Sequence, residues 1–371
     1  MNIISSTKVN IPGEHWFHPG VAELSPALQI MTAQQISDTD CYAAPSFSLS
    51  TDGGKSWSNM QQIPSFALRK LDNGMLENAA DIRPFPLGNG ECLVLGCSDY
   101  YSEKGNIFWA EPENISRIPS RKAVYAIRHQ DGSWSARGEF ELPFDTPDVR
   151  ACCTQIEILS ENRLLIPISF ESDKCIFSGR SSGKFSVTVL LMKRNGDKLE
   201  FIKKGNILDN DVGRGMCEPS LTRLADQRFA LTLRAEDGCG YCSVSDDGLY
   251  WQPPRPWCWQ DDTKLHMSST QQHWLRVGEK IYLVYTRNDG SNDRVFRFRA
   301  PLYMAEADPD RAILFRETEQ VVFPRRKCGE QEIQYGNFHV SVISDDRAVI
   351  TDAALLSADK TTTLYAATVT A

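Results

Sequence analysis

The sequence of 371 residues has no long apolar run, no excess of basic residues and no clear amphipathic helical pattern. No stretch approaches the roughly 18 apolar residues that a membrane-spanning helix needs, so we expect no membrane partner. The net charge of −8 argues against general nucleic-acid binding, although a local arginine cluster can still bind a small anion. The N-terminus lacks a basic region followed by an apolar segment, and we therefore expect a cytoplasmic protein.

The cysteines show neither a metal-binding nor a disulfide pattern. There are 11 of them, an odd number, and they are scattered along the chain. Cys239 and Cys242 form a lone CxxC, and no second pair follows at the spacing of a zinc site. We expect reduced, buried thiols, no metal and no other cofactor.

A pattern of ten residues recurs six times, and it consists of a hydrophobic residue, a short polar turn and an apolar strand. The first copy, LSPALQIMTA, departs from it most, because Pro26 stands where the others have a polar residue. Each copy has the form of a β-hairpin. The copies begin at Leu24, Leu87, Leu159, Leu224, Val277 and Ile343.

The intervals between copies leave room for two further strands after each hairpin, and they are too rich in Gly, Pro, Ser and Asp for helices. Sheets of four strands repeated around an axis form a propeller. The sequence therefore predicts an all-β, six-bladed β-propeller of four-stranded antiparallel blades, as one domain over residues 1–371. Five blades are the alternative, since the interval from Leu224 to Val277 is short. The terminal segments NIISSTKVNI and TTTLYAATVTA are both strand-like, and pairing between them would close the ring.

The segment STDGGKSW at residues 50–57 predicts a turn that folds on its own side chains. Asp52 can accept backbone hydrogen bonds, Gly54 permits a positive φ, and Trp57 can pack beneath. A second segment, VSDDGLYW, repeats the offsets with Asp246, Gly248 and Trp251. Both lie in the outer half of a predicted blade, so we expect them to be structural and remote from any central site.

The innermost strand of each blade lines the centre of a propeller, so equivalent positions should form a ring. The position six residues before the start of each repeat is polar or reactive, which is unexpected in apolar strands. The residues at this position are His18, Asp81, Cys153, Glu218, Gln271 and Asn337. Ten residues after each start stand Gln34, Cys97, Ser169, Arg234, Arg287 and Ala353. Arg234 and Arg287, on neighbouring blades, are expected to converge on one anion.

Glu218 is the leading candidate for acid–base chemistry. It lies in CEPSL, where Pro219 restricts the backbone and the neighbouring residues are mostly apolar. A carboxyl group in such a setting has a raised pKa unless it is paired with a cation, and a raised pKa suits proton transfer.

The two turn segments resemble the Asp boxes, or BNR repeats, of the sialidase superfamily. The stretch EPSLTRLADQRFALTLRAEDGCGYCSVSDDGLYW is similar to the sialidase segment that runs from a catalytic glutamate through an arginine to an Asp box. The resemblance implies that Glu218 activates a tyrosine nucleophile, which would be Tyr335 in QYGNF. It also implies that Arg234 contacts the substrate, and that Asp38 or Asp40 is the general acid.

One departure concerns the arginine clamp that binds the sugar carboxylate in sialidases. Their first blade carries an arginine in an F/Y-R-I-P motif, whereas this chain has HPGVAEL with His18. Arg294 and Arg297 in NDRVFRFRAP are further candidates for carboxylate binding, and we expect them on a regular strand with alternating faces. His273 and His339 lie within two residues of the inner ring, so a pocket for another sugar or a histidine base is expected.

These observations favour an exo-acting glycosidase of the sialidase-like superfamily that acts on a sugar or small oligosaccharide, and we expect an acidic one. Two alternatives stay open on the same fold: a polysaccharide lyase that uses His and Tyr at a uronic acid, and a carbohydrate-binding propeller without catalysis. A small carbohydrate is the expected partner in all three. The sequence leaves the oligomeric state open.

Overall fold

The repeated hairpins form the first two strands of six antiparallel sheets that are arranged in a ring, which confirms the predicted six-bladed β-propeller. The computed structural model describes residues 2–102, 105–106, 119–144, 146, 148–171, 184–267, 269–356 and 358–371. Most blades have four main strands, which we name inner, second, third and outer. The five-bladed alternative is wrong.

The first three blades follow one another along the chain. Blade one consists of Trp16–Ser25, Leu28–Asp38, Ser46–Ser50 and Gln61–Gln62, with Cys41–Tyr42 paired to its second strand. Blade two consists of Leu76–Gly88, Glu91–Ser102, Ala123–Arg128 and Gly138–Glu139, with the short strands Arg69–Lys70 and Gly105–Asn106 added. Blade three consists of Glu157–Ser160, Arg163–Glu171, Phe185–Asn195 and Lys198–Lys204, and Val149–Arg150 also pairs with its second strand.

The last three blades complete the ring. Blade four consists of Cys217–Arg223, Phe229–Arg234, Tyr241–Ser245 and Arg255–Pro256. Blade five consists of His273–Val277, Lys280–Tyr285, Leu302–Asp308 and Gln320–Phe323, with Cys258–Trp259 and Ile313–Leu314 at its side and a separate hairpin, Lys327–Cys328 and Gln331–Glu332, after it. Blade six consists of His339–Ser344, Arg347–Leu356 and Thr361–Thr370, and the N-terminal strand Asn2–Lys8 is its outer strand.

The pairing of the two terminal strands closes the ring. Lys8 is paired with Tyr365 and Asn2 with Thr370 in antiparallel register. This arrangement confirms the predicted closure, and it leaves only short strand edges exposed.

Six apolar clusters hold the blades together, and each is formed by residues of two neighbouring blades. In several blades the second and third strands are covered on both faces, so they have lost the alternation of half-exposed strands. All six residues of Ala123–Arg128 and all six of Phe229–Arg234 are buried. This is why the repeats contain apolar runs.

Helical structure in the described part of the chain consists of three-residue 3-10 turns at Pro64–Phe66, Phe296–Phe298 and Arg316–Thr318. None of the helices described there has the length and apolar character needed to cross a membrane.

The STDGGKSW turn folds on its own side chains, as predicted. Asp52 Oδ1 accepts hydrogen bonds from the backbone N–H groups of Lys55 and Ser56 at 3.0 and 2.9 Å, and Oδ2 accepts one from Ser56 Oγ at 2.6 Å. These hydrogen bonds, with Ser56 contributing most, lower the pKa of Asp52 to about 2. The turn follows the third strand of blade one, on the outer side of the blade.

The second turn segment has a different register from the predicted one. Ser245 Oγ donates to Asp247 Oδ1 at 3.1 Å, and Asp247 Oδ1 accepts from the N–H groups of Leu249 and Tyr250 at 2.8 Å. Asp247 therefore takes the place that the sequence analysis gave to Asp246. The turn is one residue shorter between Asp and Trp251, so aligning the two segments on the tryptophan shifted the assignment.

Candidate functional site

Four of the six predicted ring residues share an unusual backbone conformation at the start of the inner strands. His18, Asp81, Cys153 and Glu218 have φ angles of 54°, 54°, 52° and 47°, in the left-handed region that non-glycine residues rarely occupy. In blades one, two and four the pairing with the second strand shifts register at this point, which marks a β-bulge. Strained residues at bulges cluster at functional sites, because a bulge re-aims a side chain.

Side chains from the second strands hold two of these bulges in place, and each reaches across to the next blade. Gln34 Oε1 accepts a hydrogen bond from the N–H of Asp81 at 2.9 Å, while its amide donates to Ala79 O at 2.8 Å. Ser169 Oγ accepts one from the N–H of Glu218 at 3.0 Å. The second predicted ring therefore supports the first, which was not foreseen.

A chain of polar contacts links blades one and two. His18 Nδ1 lies 2.6 Å from Asp81 Oδ1, and His18 Nε2 lies 3.3 Å from the Tyr42 hydroxyl. That hydroxyl donates to Asp40 Oδ1 at 3.0 Å. Of the two predicted acids, Asp40 therefore contacts the ring, whereas the side chain of Asp38 is 76% exposed at the edge. Tyr42 was not among the predicted site residues.

Glu218 forms an ion pair with Arg234 from the second strand of its own blade, and Arg234 Nε also donates to Ser269 Oγ at 3.1 Å. Burial alone would raise the pKa of Glu218, but the charge and hydrogen bond of Arg234, with Arg214 nearby, lower it below its usual range. Because Glu218 is paired with a cation, its pKa is not raised by burial as that of an unpaired carboxyl group would be, and the carboxylate is ionised at neutral pH. Its chemistry is that of a base or nucleophile rather than an acid.

Arg297 and Arg299 bring two further cations to this face. They lie in and after the 3-10 turn Phe296–Phe298, and their guanidinium groups stand 5.0 and 5.8 Å from the Phe296 ring centre. Burial, followed by the charges of Arg234 and Arg297, lowers the pKa of Arg299 to about 10. No carboxylate of the described residues forms an ion pair with either arginine, whereas Arg234 is paired with Glu218.

The expected regular strand over DRVFRFR is wrong. The chain bends there, and Arg297 and Phe298 both have φ of 51°. Arg294 lies in the preceding turn and is exposed. The bend, not strand alternation, places Arg297 and Arg299 close enough to Glu218 for its charge to affect the pKa of both.

Tyr335 does not occupy the position of a nucleophile. Its side chain is 1% exposed, its ring packs against Phe323, and its hydroxyl donates to Pro324 O at 3.1 Å. The stem of Arg299 instead covers the following Gly336, where a Cβ would come within 3.1 Å of Arg299 Cγ and Cδ, and where φ is 103°. The buried hydroxyl does not fit the predicted nucleophile, and the backbone of the same segment lies against Arg299.

Arg287 does not converge with Arg234. Its guanidinium group forms two hydrogen bonds with Glu319, of 2.8 and 2.6 Å, and lies 4.7 Å from the Tyr303 ring centre. Glu319 directly precedes the outer strand of blade five. Arg287 therefore stabilises that blade, and Arg297 and Arg299 supply the additional positive charge.

The remaining predicted residues, Gln271, His273 and Asn337, make contacts between the inner strands. Gln271 Nε2 donates to Phe338 O at 2.5 Å, and His273 Nδ1 lies 2.6 Å from Ser220 Oγ. Burial and the charge of Arg83 lower the pKa of His273 to about 3, so it is neutral at physiological pH. Asn337 is half-buried, and its backbone oxygen lies 3.4 Å from Arg83 Nη2. These contacts connect inner strands and close the channel.

Arg83 was not among the predicted site residues, yet it connects the inner strands of blades one and two at the centre of the propeller. It is fully buried in the inner strand of blade two, and its Nη1 donates to His18 O at 2.8 Å. Its only signal in the sequence is a charged residue two positions after a ring residue. The clefts of about 670 and 890 Å³ at the outer edges of the molecule contain none of the ring residues.

The fold is shared with carbohydrate-active propellers of known structure, although no protein-family profile and no curated protein matches the sequence. An intramolecular trans-sialidase from Ruminococcus gnavus, complexed with oseltamivir carboxylate, superposes with a TM-score of 0.61 at 12% identity over 100% of this chain and 98% of that chain. An α-L-arabinanase from Penicillium chrysogenum, complexed with arabinobiose, gives 0.59 at 13% identity over 100% and 99%. A Trypanosoma rangeli sialidase gives 0.61 at 13% identity, over 99% of this chain and 60% of that chain.

The similarity extends along the whole chain, so the resemblance to sialidases is confirmed at the level of the fold. The arabinanase shows that the same propeller is shared by enzymes whose names indicate a different sugar. The fold alone does not select the substrate.

Proposed function

We propose that this protein is an exo-acting glycoside hydrolase that removes a sugar carrying a carboxylate from a short oligosaccharide. The observation that carries the proposal is the pair of cations at Arg297 and Arg299, which have no carboxylate partner among the described residues and stand beside the ionised Glu218. The full-length similarity to sialidase and arabinanase propellers supports the reaction class.

The charge balance on this face favours an anionic ligand. Arg150 is paired with Asp148, Arg214 with Glu236, and Arg234 with Glu218. In the described part of the chain, Arg297 and Arg299 form no ion pair with a carboxylate, so they are available to an anion. The guanidinium groups of the exposed Arg297 and the half-buried Arg299 both lie near the Phe296 ring, and their planar forks match the geometry of a carboxylate.

Glu218 is proposed as the carboxylate that stabilises or attacks the anomeric centre. Glycoside hydrolysis passes through an oxocarbenium-like state, and a negative charge fixed next to it lowers the barrier. Arg234 keeps Glu218 ionised, and Ser169 fixes its backbone.

Asp40 is proposed as the general acid. It is half-buried at the turn between Leu28–Asp38 and Cys41–Tyr42, and the Tyr42 hydroxyl orients its carboxylate. The residue lies close enough to Arg299 and Tyr42 to perturb the pKa of both. It would protonate the leaving oxygen, a step that typically contributes about 10² to 10⁴ in rate.

A screen of acidic and neutral aryl glycosides, sialosides and uronate-containing oligosaccharides tests the proposal. We expect hydrolysis of an acidic substrate by the wild type, and a loss of about 10² to 10⁴ in kcat/KM for Glu218→Gln. Glu319→Gln is the matched control, because it removes an arginine-paired carboxylate outside the site. Equal activity of Glu218→Gln and wild type would contradict the assigned role.

A lyase acting on a uronic acid is the second candidate. The contacts of the Tyr42 hydroxyl with Asp40 and His18 favour it, because a phenol placed between a carboxylate and an imidazole can move a proton. In the same screen, a lyase would produce an unsaturated uronate with new ultraviolet absorbance and without uptake of water. A propeller that only binds carbohydrate would give neither product.

A further inference from the structure

We propose that His18, Asp81 and Cys153 form a binding site for Zn²⁺ or a similar transition metal at the centre of the propeller. One potential ligand atom from each residue lies within 4.8 Å of the other two. The three residues come from three successive blades and share φ angles of 52° to 54°. The bulges thus place three side chains of metal-binding type around one point.

The hydrogen bonds around His18 determine which ring nitrogen is available. The Tyr42 hydroxyl donates its only proton to Asp40, so its contact with His18 requires the proton on His18 Nε2. Arg83 Nη2 lies 3.2 Å from Nδ1, and a guanidinium group can only donate. Nδ1 therefore presents a lone pair, which is the form that binds a metal.

This assignment leaves two acceptors facing each other. Nδ1 lies 2.6 Å from Asp81 Oδ1, and with the proton on Nε2 no donor other than His18 among the described residues reaches that buried oxygen. Two lone pairs at this distance repel unless a positive charge lies between them. Either a second proton on the ring or a bound cation supplies it, and the presence of a thiol in the same cluster favours the metal.

The set of donor atoms indicates which metals fit. One imidazole nitrogen, one carboxylate oxygen and one thiolate sulfur match the ligands of Zn²⁺, whereas Mg²⁺ and Ca²⁺ prefer oxygen alone. Three protein ligands leave the fourth position of a tetrahedral site to water or substrate, as in catalytic zinc sites. Tetrahedral coordination would open the contact between His18 Nδ1 and Asp81 Oδ1 to about 3.4 Å.

The surroundings supply the outer contacts that metal sites use. The second nitrogen of His18 contacts Tyr42, and Gln34 fixes the backbone of Asp81. The side chain of His18 is 3% exposed and that of Asp81 is 18% exposed, and the charge of Asp81 acts on Glu218. The metal would therefore lie near the proposed sugar pocket.

Direct metal binding tests this inference without reference to enzyme activity. The purified protein is treated with a chelator and then titrated with Zn²⁺, and with Co²⁺, whose thiolate complexes absorb in the near ultraviolet. We expect one equivalent of either metal to bind, and the Co²⁺ thiolate band to appear.

Variants separate this site from other thiols. Cys153→Ser and Asp81→Asn should weaken binding about 100-fold or more, judged from the 10- to 100-fold losses seen when even outer contacts are removed. Cys92→Ala is the control, because Cys92 is buried in the apolar core between blades one and two. If the wild type binds less than a tenth of an equivalent, a second proton on the His18 ring, and not a metal, lies between Nδ1 and Asp81 Oδ1. The inference is then wrong. Unchanged binding in Cys153→Ser would also overturn it.

Discussion

Replacing Arg299 by glutamine tests the proposed anion site, because the expected loss of affinity for an acidic sugar can be worked out from the structure. Burial and the neighbouring Arg234 and Arg297 lower the pKa of Arg299 to about 10 from an ordinary 12.5. The difference corresponds to about 3 kcal/mol of unfavourable charge. A bound carboxylate would relieve part of this cost, while the solvent that still reaches Arg299 screens some of it.

The expected gain from this relief is similar to that of a hydrogen bond to a charged group, about 1.5–3 kcal/mol. Arg299→Gln should therefore raise the dissociation constant of an acidic sugar about 10- to 150-fold. The dissociation constant of the matching neutral sugar, with an amide or alcohol in place of the carboxylate, should change less than about twofold. Arg299→Lys should fall between, because lysine keeps the charge but loses the planar fork.

Isothermal titration calorimetry with both sugars provides the assay. Arg294→Gln is the matched control, since Arg294 is an exposed arginine in the same segment and should leave both affinities unchanged. If Arg299→Gln weakened the acidic and the neutral sugar equally, the arginine would serve packing only. The reasoning from charge would then be refuted.

Three further predictions concern other parts of the structure. Tyr335→Phe should cost about 1 kcal/mol of stability in a denaturant titration and leave kcat unchanged, because the side chain is buried and its hydroxyl donates to Pro324 O; a 10³-fold loss of kcat would show that Tyr335 is the nucleophile after all. Burial raises the pKa of Asp352 to about 7, so the native state holds an extra proton between pH 4 and 7, and stability should fall by up to about 4 kcal/mol as pH rises across that range. Asp352→Asn should remove that slope, and parallel pH curves for variant and wild type would contradict the assignment. Asp52→Ala should lower the Tm without changing activity, since Asp52 organises a turn on the outer side of blade one; a loss of activity at unchanged Tm would contradict the structural role.

The sequence predicted the number of blades and the inner ring because both depend on a repeat. Equivalent positions of a repeated strand must come together around an axis, whatever the identity of the side chains. His18, Asp81, Cys153 and Glu218 meet for this reason. The bulge that aims them depends on Gln34 and Ser169 from a neighbouring blade, and such contacts leave no local signal.

The errors concern segments outside the repeat. Tyr335 packs into the apolar cluster between blades five and six, whereas the stem of Arg299 covers Gly336. Arg287 has the register of a site residue, but Glu319 lies 32 residues away in sequence and binds it. Side-chain direction in irregular segments is set by such distant partners, so periodicity cannot predict it.

The central claim is that an acidic sugar binds over Glu218 with its carboxylate on Arg297 and Arg299. A crystal structure of the Glu218→Gln protein, soaked with the acidic sugar that the screen identifies, tests it most directly. The account predicts the sugar at the centre of the propeller, with its carboxylate within hydrogen-bonding distance of one or both guanidinium groups. A sugar bound at the outer clefts, or at the centre with its carboxylate turned away from both arginines, would contradict it.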